Sequence, residues 1–336
     1  MRVMTRTYTI LVFISYLFFG DVFARSIPPL FPASWATFSE TQKFKAALDK
    51  IPKGDWISRI KPSTASLQTE ESSKIKRYLE YLGILKERLN NVNDALEEFQ
   101  KTYNLPVTGK LDNDTIKLIK RPRCGVTDVI NVTSTMPTSF NWSWPEGKKQ
   151  FNYTFIPKNN VDKSLKLKDA FSSAFSRWAK VTGLSFTETS SFNQSDILIV
   201  FLGWDENEVV AGSDLLGSVR KSGRRAMYFN VKENWVVPTA DNGTVMADDE
   251  LDIETVAMHQ IGHMVGFRHT TTEEAAVMFP FMERGQRKLE FATDESESIQ
   301  QAFRSVYNTT SNGGAAGGVG PGWVGLGIAL LLSFCF

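Results

Sequence analysis

The sequence predicts an α+β protein, with a small helical unit followed by a mixed α/β domain. Residues 25–120 carry apolar stripes at helical spacing, broken by Pro/Gly turns. From 139 to 306 the pattern changes to short strand-like runs around one long amphipathic stripe. A third observation fixes the centre of the chain. Its three histidines, His259, His263 and His269, all fall within the eleven residues His-Gln-Ile-Gly-His-Met-Val-Gly-Phe-Arg-His.

The 336 residues allow one or two domains with sizeable cores. A net charge of +1, with acids and bases interspersed, gives no basis for nucleic-acid binding or for adhesion to an anionic membrane surface. Residues 1–24 place Arg2 and Arg6 before an apolar run, Ile10 to Phe19, and end Val22-Phe-Ala24. That is the layout of a secretory signal cut after Ala24, and the run is short for the alternative, a membrane anchor. At the other end, over 307–336, small residues around Ser311, Asn312 and Gly313 precede a Gly-rich spacer and an apolar tail, Trp323 to Phe336. No Lys or Arg follows the tail. This reads as a glycosylphosphatidylinositol (GPI) attachment signal cleaved at one of those three residues, with a tail-anchored helix as the alternative. Discarding the tail removes Cys335 and leaves Cys124 as the one thiol, so no internal disulfide can form. Sequons at Asn113, Asn131, Asn141, Asn152, Asn193, Asn242 and Asn308 fit a secretory route.

Within the helical unit, Ile75, Tyr78, Leu79, Leu82 and Leu85 form one stripe, with Ser72 and Ser73 placed to cap its start. A second helix spans about Val92–Tyr103, and a third starts near Asp112, where Asn113 and Asp114 offer capping. In the second domain, strands are expected at Phe151–Pro157, Leu184–Thr189, Asp196–Leu202, Gly217–Arg220 and Ala226–Val231. Leu165, Leu167, Ala170, Phe171, Ala174, Phe175 and Trp178 mark the buried face of a helix. Another helix follows the acidic run Asp248 to Asp252, which suits an N-terminus, and a last one spans about Asp294–Tyr307.

His259 and His263, four residues apart, project from one helix face. Two imidazoles at that spacing can share a metal ion, and neutral imidazole suits zinc. Gly266 can take a left-handed conformation and end the helix, so that His269 returns as a third ligand. Three protein ligands leave a fourth position open, which is the catalytic kind of zinc site.

This stretch resembles the metzincin signature His-Glu-x-x-His-x-x-Gly-x-x-His, except that Gln260 stands where the family has its general-base Glu. Pro122-Arg-Cys-Gly-Val-Thr-Asp128 is similar to the loop that ends matrix metalloproteinase propeptides, with Thr127 where the plant members usually have proline. Leu105 to Asp112 is similar to those propeptides as well, which are themselves like a peptidoglycan-binding module. The resemblance is to plant-type matrix metalloproteinases and covers nearly the whole chain.

It implies a signal peptide over 1–24, a helical propeptide over 25–128 and a zinc metallopeptidase domain over 139–306, with a twisted, mostly parallel sheet. It also implies that Cys124 ligates the zinc in the latent form, silencing it, with Arg123 and Asp128 pairing to hold the loop. Met278, in Ala276-Val-Met-Phe-Pro280, matches the Met-turn beneath the metal, with Pro280 on the wall of the specificity pocket. Members carry a second, structural zinc, but this chain has Lys221, Tyr228 and Glu206 near three of its ligand positions, so one zinc is expected. Of the family calcium positions Asp196 and Glu233 are kept, with Asn230 where aspartate is usual, so calcium remains a candidate second cofactor.

Gln260 can hydrogen-bond a water but is not a usable base. Three expectations follow: a surface-anchored, extracellular endopeptidase of reduced activity; a pseudoprotease that binds zinc and peptides or inhibitors; or an adhesion module with a structural metal.

Overall fold

The computed structural model describes residue 46, residue 52 and residues 56–61, 69–85, 91–128, 144–156, 165–203, 209–213, 224–238, 246–271 and 273–311. The expected signal segment, Asn312, Gly313 and the apolar tail lie outside them, as do Lys221, Glu206 and the strand expected at Gly217–Arg220.

The N-terminal unit comprises helices α1 (Trp56–Arg59), α2 (Thr69–Tyr81), α3 (Val92–Thr102) and α4 (Asn113–Ile119). Helix α2 starts three residues before Ser72, so Ser72 and Ser73 lie inside it and not at its start. Glu70 and Glu71 instead occupy its first turn, where the helix dipole favours negative charge. Asn91 caps α3 by accepting from the Asp94 N–H at 2.9 Å. In α4 the cap is Asp112 itself, accepting from the Thr115 N–H at 2.8 Å, and not Asn113 or Asp114. Buried Gln100 ties α3 to the following turn: its amide donates to Lys110 O and Thr115 Oγ1, both at 2.9 Å, and its carbonyl accepts from Thr108 and Gly109.

A six-stranded sheet organises the rest, in the order β1-β5-β6-β4-β2-β3. Its strands are β1 (Arg123–Cys124), β2 (Gln150–Ile156), β3 (Ser185–Glu188), β4 (Ile197–Leu202), β5 (Val209–Ser213) and β6 (Arg225–Asn230). All neighbours pair parallel except β5 with β6, so the sheet is mostly parallel. A short parallel pair, β7 (Trp235–Val236) with β8 (Leu251–Asp252), leads into the histidine helix. Strand β5 was not anticipated.

Strand β4 is buried on both faces, as its unbroken apolar run Ile-Leu-Ile-Val-Phe-Leu requires. Ile197, Ile199 and Phe201 join one core, shared with helix α5 (Leu165–Thr182) and the histidine helix α6 (Ile253–Met264). Leu198, Val200 and Leu202 join a second core, which runs through Phe279 and Phe281 into the N-terminal helices. Trp178 on α5 is fully buried, and its indole N–H donates to Met258 O at 2.7 Å, fixing α5 against α6. Helix α7 (Thr293–Ser311) closes the domain, with Ile299 and Phe303 in the first core.

Candidate metal centre

Helix α6 is capped by Asp252, whose carboxylate accepts from the Glu254 N–H at 3.2 Å, within the acidic run read as an N-terminal signal. Nearly two turns in, His259 and, about one turn later, His263 emerge from the same face and are almost wholly buried. The helix ends at Met264, and Gly266 takes a φ of +108°, a backbone conformation that disfavours any side chain. That turn brings His269 back over the helix.

The three imidazoles converge through one kind of nitrogen. His269 Nε2 lies 3.2 Å from His259 Nε2 and 3.2 Å from His263 Nε2. Cys124 Sγ lies 3.4 Å from His263 Nε2, and the four ligand atoms all fall within 4.8 Å of one another. The opposite ring nitrogens face oxygens: His259 Nδ1 meets Val277 O at 2.8 Å, His263 Nδ1 meets Phe267 O at 2.8 Å, and His269 Nδ1 meets Asp128 Oδ1 at 2.6 Å. A carbonyl only accepts, so His259 and His263 carry their proton on Nδ1 and turn bare Nε2 lone pairs inward. Burial, and then the neighbouring imidazoles, hold the pKa values of both well below the usual histidine range, which keeps them neutral.

Lone pairs aimed at one another across 3.2 Å repel unless a cation lies between them. A tetrahedral zinc, with Zn–N of about 2.0–2.1 Å and Zn–S of about 2.3 Å, separates its nitrogens by about 3.3–3.4 Å and nitrogen from sulfur by about 3.6 Å. The two 3.2 Å nitrogen separations and the 3.4 Å approach of Cys124 to His263 lie close to that set, within a group that spans no more than 4.8 Å. Among the described residues, this is the group of His, Cys and acidic side chains arranged to hold a metal.

Met278 is fully buried beneath the helix, and its position explains Gly262. A Cβ at 262 would stand 2.2 Å from Met278 Sδ and 2.8 Å from Trp178 Cζ2. Glu295, in the first turn of α7, accepts from the Val277 and Met278 N–H groups at 3.0 and 3.1 Å and so holds the turn in place. Because Val277 O is the partner of His259, that carboxylate is linked to the histidine cluster.

The Cys124 loop reaches the site as part of the sheet. Strand β1 pairs with β5 on one side, and on the other Cys124 N donates to Pro280 O at 2.8 Å while Met282 N donates to Pro122 O at 2.7 Å. Arg123 is fully buried, grips both oxygens of Asp128 at 3.0 Å and lies 5.0 Å above the Phe281 ring. The N-terminal helices hold the loop through buried phenols: Tyr81 donates to Gly125 O, and Tyr103 donates to Asp128. Burial would raise the Asp128 pKa, but Arg123, with His269 and Tyr103, holds it at about 2. With no metal, burial pushes the Cys124 thiol up to about 12, so a cation is needed to make it a thiolate ligand.

Gln260 is fully buried, and its amide donates to Cys124 Sγ at 3.2 Å. Beside the cluster lies a cleft of about 610 Å³, lined in part by Thr255, Val277, Phe279 and Lys288. Arg121 stands at its edge, paired with Glu274 and with Glu283 at 2.8 Å.

Of the calcium candidates, Asn230 and Glu233 lie together, the Glu233 N–H donating to Asn230 O at 3.3 Å, while Asp196 lies apart from them. Asp196 precedes β4 at one end of the sheet and pairs with Lys148 at 2.8 Å. Asn230 ends β6 at the opposite end of the strands, as the parallel register Ile197↔Arg225 to Leu202↔Asn230 requires, and accepts from the Lys232 N–H. Glu233 pairs with Arg284 at 2.8 Å. Tyr228 is buried in the second core. Sequence reasoning found the Arg123–Asp128 pair but missed the contact of Asp128 with His269 and that of Gln260 with Cys124.

Residues 143–304 match the Matrixin family model, and residues 68–119 match that of a putative peptidoglycan binding domain. The chain is 32% identical over 270 residues to metalloendoproteinase 5-MMP of Arabidopsis thaliana, covering 73% of each chain. It is 32% identical over 297 residues to 2-MMP of the same plant, covering 74% of this chain and 77% of the relative. Against metalloendoproteinase 1 of Glycine max it is 31% identical over 252 residues, 69% of this chain and 81% of the relative. With a mostly parallel sheet behind a helical unit and a histidine cluster on its central helix, the chain belongs to the plant-type matrix metalloproteinases.

Proposed function

We propose that this matrix metalloproteinase is a secreted zinc endopeptidase of reduced turnover, made latent by its own propeptide and anchored outside the plasma membrane, facing the apoplast or extracellular matrix. The observation that carries the reading is the convergence of the Nε2 atoms of His259, His263 and His269 with Cys124 Sγ at zinc-like spacing. Zinc bound there supplies Lewis-acid chemistry toward a peptide carbonyl and acidifies water.

The protein's own groups do the rest. The three imidazoles, each backed by an oxygen on Nδ1, hold the ion at a fixed place. Residues 25–128 act as the propeptide. Its strand β1 occupies the edge of β5 and puts the sulfur at the fourth position, where a substrate would otherwise sit. Withdrawal of that segment would free the sheet edge and take Arg121 from the rim of the cleft beside Val277, so that these could receive a peptide's backbone and a side chain. Gln260 can orient a water there but cannot take its proton, so one contribution worth roughly 10²–10⁴ in rate is missing.

Anchoring rests on the sequence features around Ser311, Asn312 and Gly313. Release from intact cells by a phosphatidylinositol-specific phospholipase tests it, and retention alongside a released control would favour a tail helix. For the catalytic reading, the assay is peptide cleavage by zinc-loaded protein after proteolytic removal of residues up to 138. Slow, chelator-sensitive cleavage supports it. A second reading, a pseudoprotease that binds zinc and peptides without cutting, is favoured by the amide of Gln260 and its bond to Cys124. Peptide binding with no cleavage would establish that alternative.

A further inference from the structure

The partners of the three Nδ1 atoms differ in origin. Val277 O and Phe267 O, which serve His259 and His263, are backbone atoms of the domain that carries the histidines. The partner of His269 is Asp128 Oδ1, a side chain from the far end of the Cys124 loop. Its carboxylate is 1% exposed and is held from several directions. Arg123 bonds both oxygens at 3.0 Å, Tyr103 donates its hydroxyl, and the Asp128 N–H donates to Leu82 O at 2.8 Å. Such a carboxylate cannot swing away from the imidazole without unmaking a buried ion pair. On the Nδ1–H of a ligating histidine, a carboxylate fixes the ring and its tautomer and makes Nε2 a better donor to the metal.

We propose that Asp128 is a positioning residue of the metal centre. The loop that closes the centre with Cys124 also supplies the outer carboxylate that holds His269 on the ion. The inference rests on the zinc reading above and deepens it. Withdrawal of the loop then does two things: it vacates the fourth ligand position and it loosens the third ligand. The opened protein holds its ion less firmly than loss of the sulfur alone would explain.

The test uses the zinc-loaded full chain as wild type, Asp128→Asn, Cys124→Ser and the double variant. Two quantities are read: zinc transfer to a chromophoric chelator, and the imidazole proton–nitrogen spectrum, which three histidines keep simple. Asp128→Asn should lower zinc affinity by roughly 10–100-fold, and should do so again when Cys124 is already serine. The Nδ1–H resonance of His269 should move upfield while those of His259 and His263 stay in place.

Asp128→Asn leaves Arg123 buried without its counter-charge, so Arg123→Gln with Asp128→Asn is measured in parallel and should give the same shift. If Asp128→Asn weakens zinc only when Cys124 is present, or leaves the His269 resonance unmoved, Asp128 serves the loop alone and the proposal is overturned. A wild-type chain that takes up no zinc would overturn the zinc reading itself.

Discussion

Gln260→Glu changes two things at once, and the structure separates them. In the closed form the Gln260 amide donates to Cys124 Sγ at 3.2 Å. Glutamate offers an oxygen at that place, so a donor facing a metal-bound sulfur becomes an acceptor facing it. A hydrogen bond to a charged group is worth about 1.5–3 kcal/mol, so its loss should open the loop roughly ten- to a hundredfold more often. Repulsion between carboxylate and thiolate adds to this. The readout is the rate at which iodoacetamide modifies Cys124 in the zinc-loaded full chain.

In protein freed of residues up to 138, the same substitution supplies the missing base. It should raise kcat by roughly 10²–10⁴ with little change in KM, because the residue acts on the water and not on the peptide. Equal labelling rates in the full chain would refute the role given to the amide. A freed Gln260→Glu protein that folds, binds zinc and still fails to cut would refute the assignment of low turnover to the missing carboxylate.

Gly262→Ala should destabilise the fold by about 1–3 kcal/mol, read as a lower denaturation midpoint, because its methyl meets Met278 Sδ and Trp178. Metal analysis of the full chain should find one tightly bound zinc, lost on His263→Ala; two per chain would mean that a second site exists. Zinc should also be released by acid. Burial lowers the pKa values of all three histidines in the fold, so their neutral, ligating forms are favoured. The stability that this gives is present above the unfolded value of about 6.5 and is lost as pH falls below it. Dialysis at stepwise lower pH, followed by metal analysis, should show retention at neutrality and loss in acid.

What could be read in advance was local. The i,i+4 histidine pair, Gly266 and the stripe from Leu165 to Trp178 are determined by spacing, and the fold uses them as spacing implies. Ser72 and Ser73 look like caps for α2, whereas Thr69, Glu70 and Glu71 extend the helix upstream at no cost to its apolar stripe. Strand β5, Val-Val-Ala-Gly-Ser, is short and carries no alternation, and its partners come from Arg123–Cys124 and from β6. Contacts such as Asp128 with His269, 141 residues apart, leave no periodic trace. Propeptide resemblance pointed to the ion pair with Arg123, but the second face of the same carboxylate depends on tertiary packing alone.

Two features of the sequence pull against each other. On the proposed reading, a chain with Gln260 in place of the family's general base has little catalysis to restrain, yet it keeps Cys124 to restrain it. The geometry removes the tension. In the closed form Gln260 is a donor to the sulfur, Val126 N donates to it as well at 3.4 Å, and Asp128 braces His269 from the same loop. On that reading the glutamine would weaken the open form, which then lacks a base, and would strengthen the closed one, by adding a donor to the sulfur. Both effects favour a four-ligand centre that stays shut. If that balance holds, Gln260→Glu and Cys124→Ser should each activate the full chain weakly. Together they should do more than either alone, since one restores the chemistry and the other frees the position where it acts. Cleavage of a peptide by the four combinations measures this, and no gain from the pair over the better single variant would break the argument.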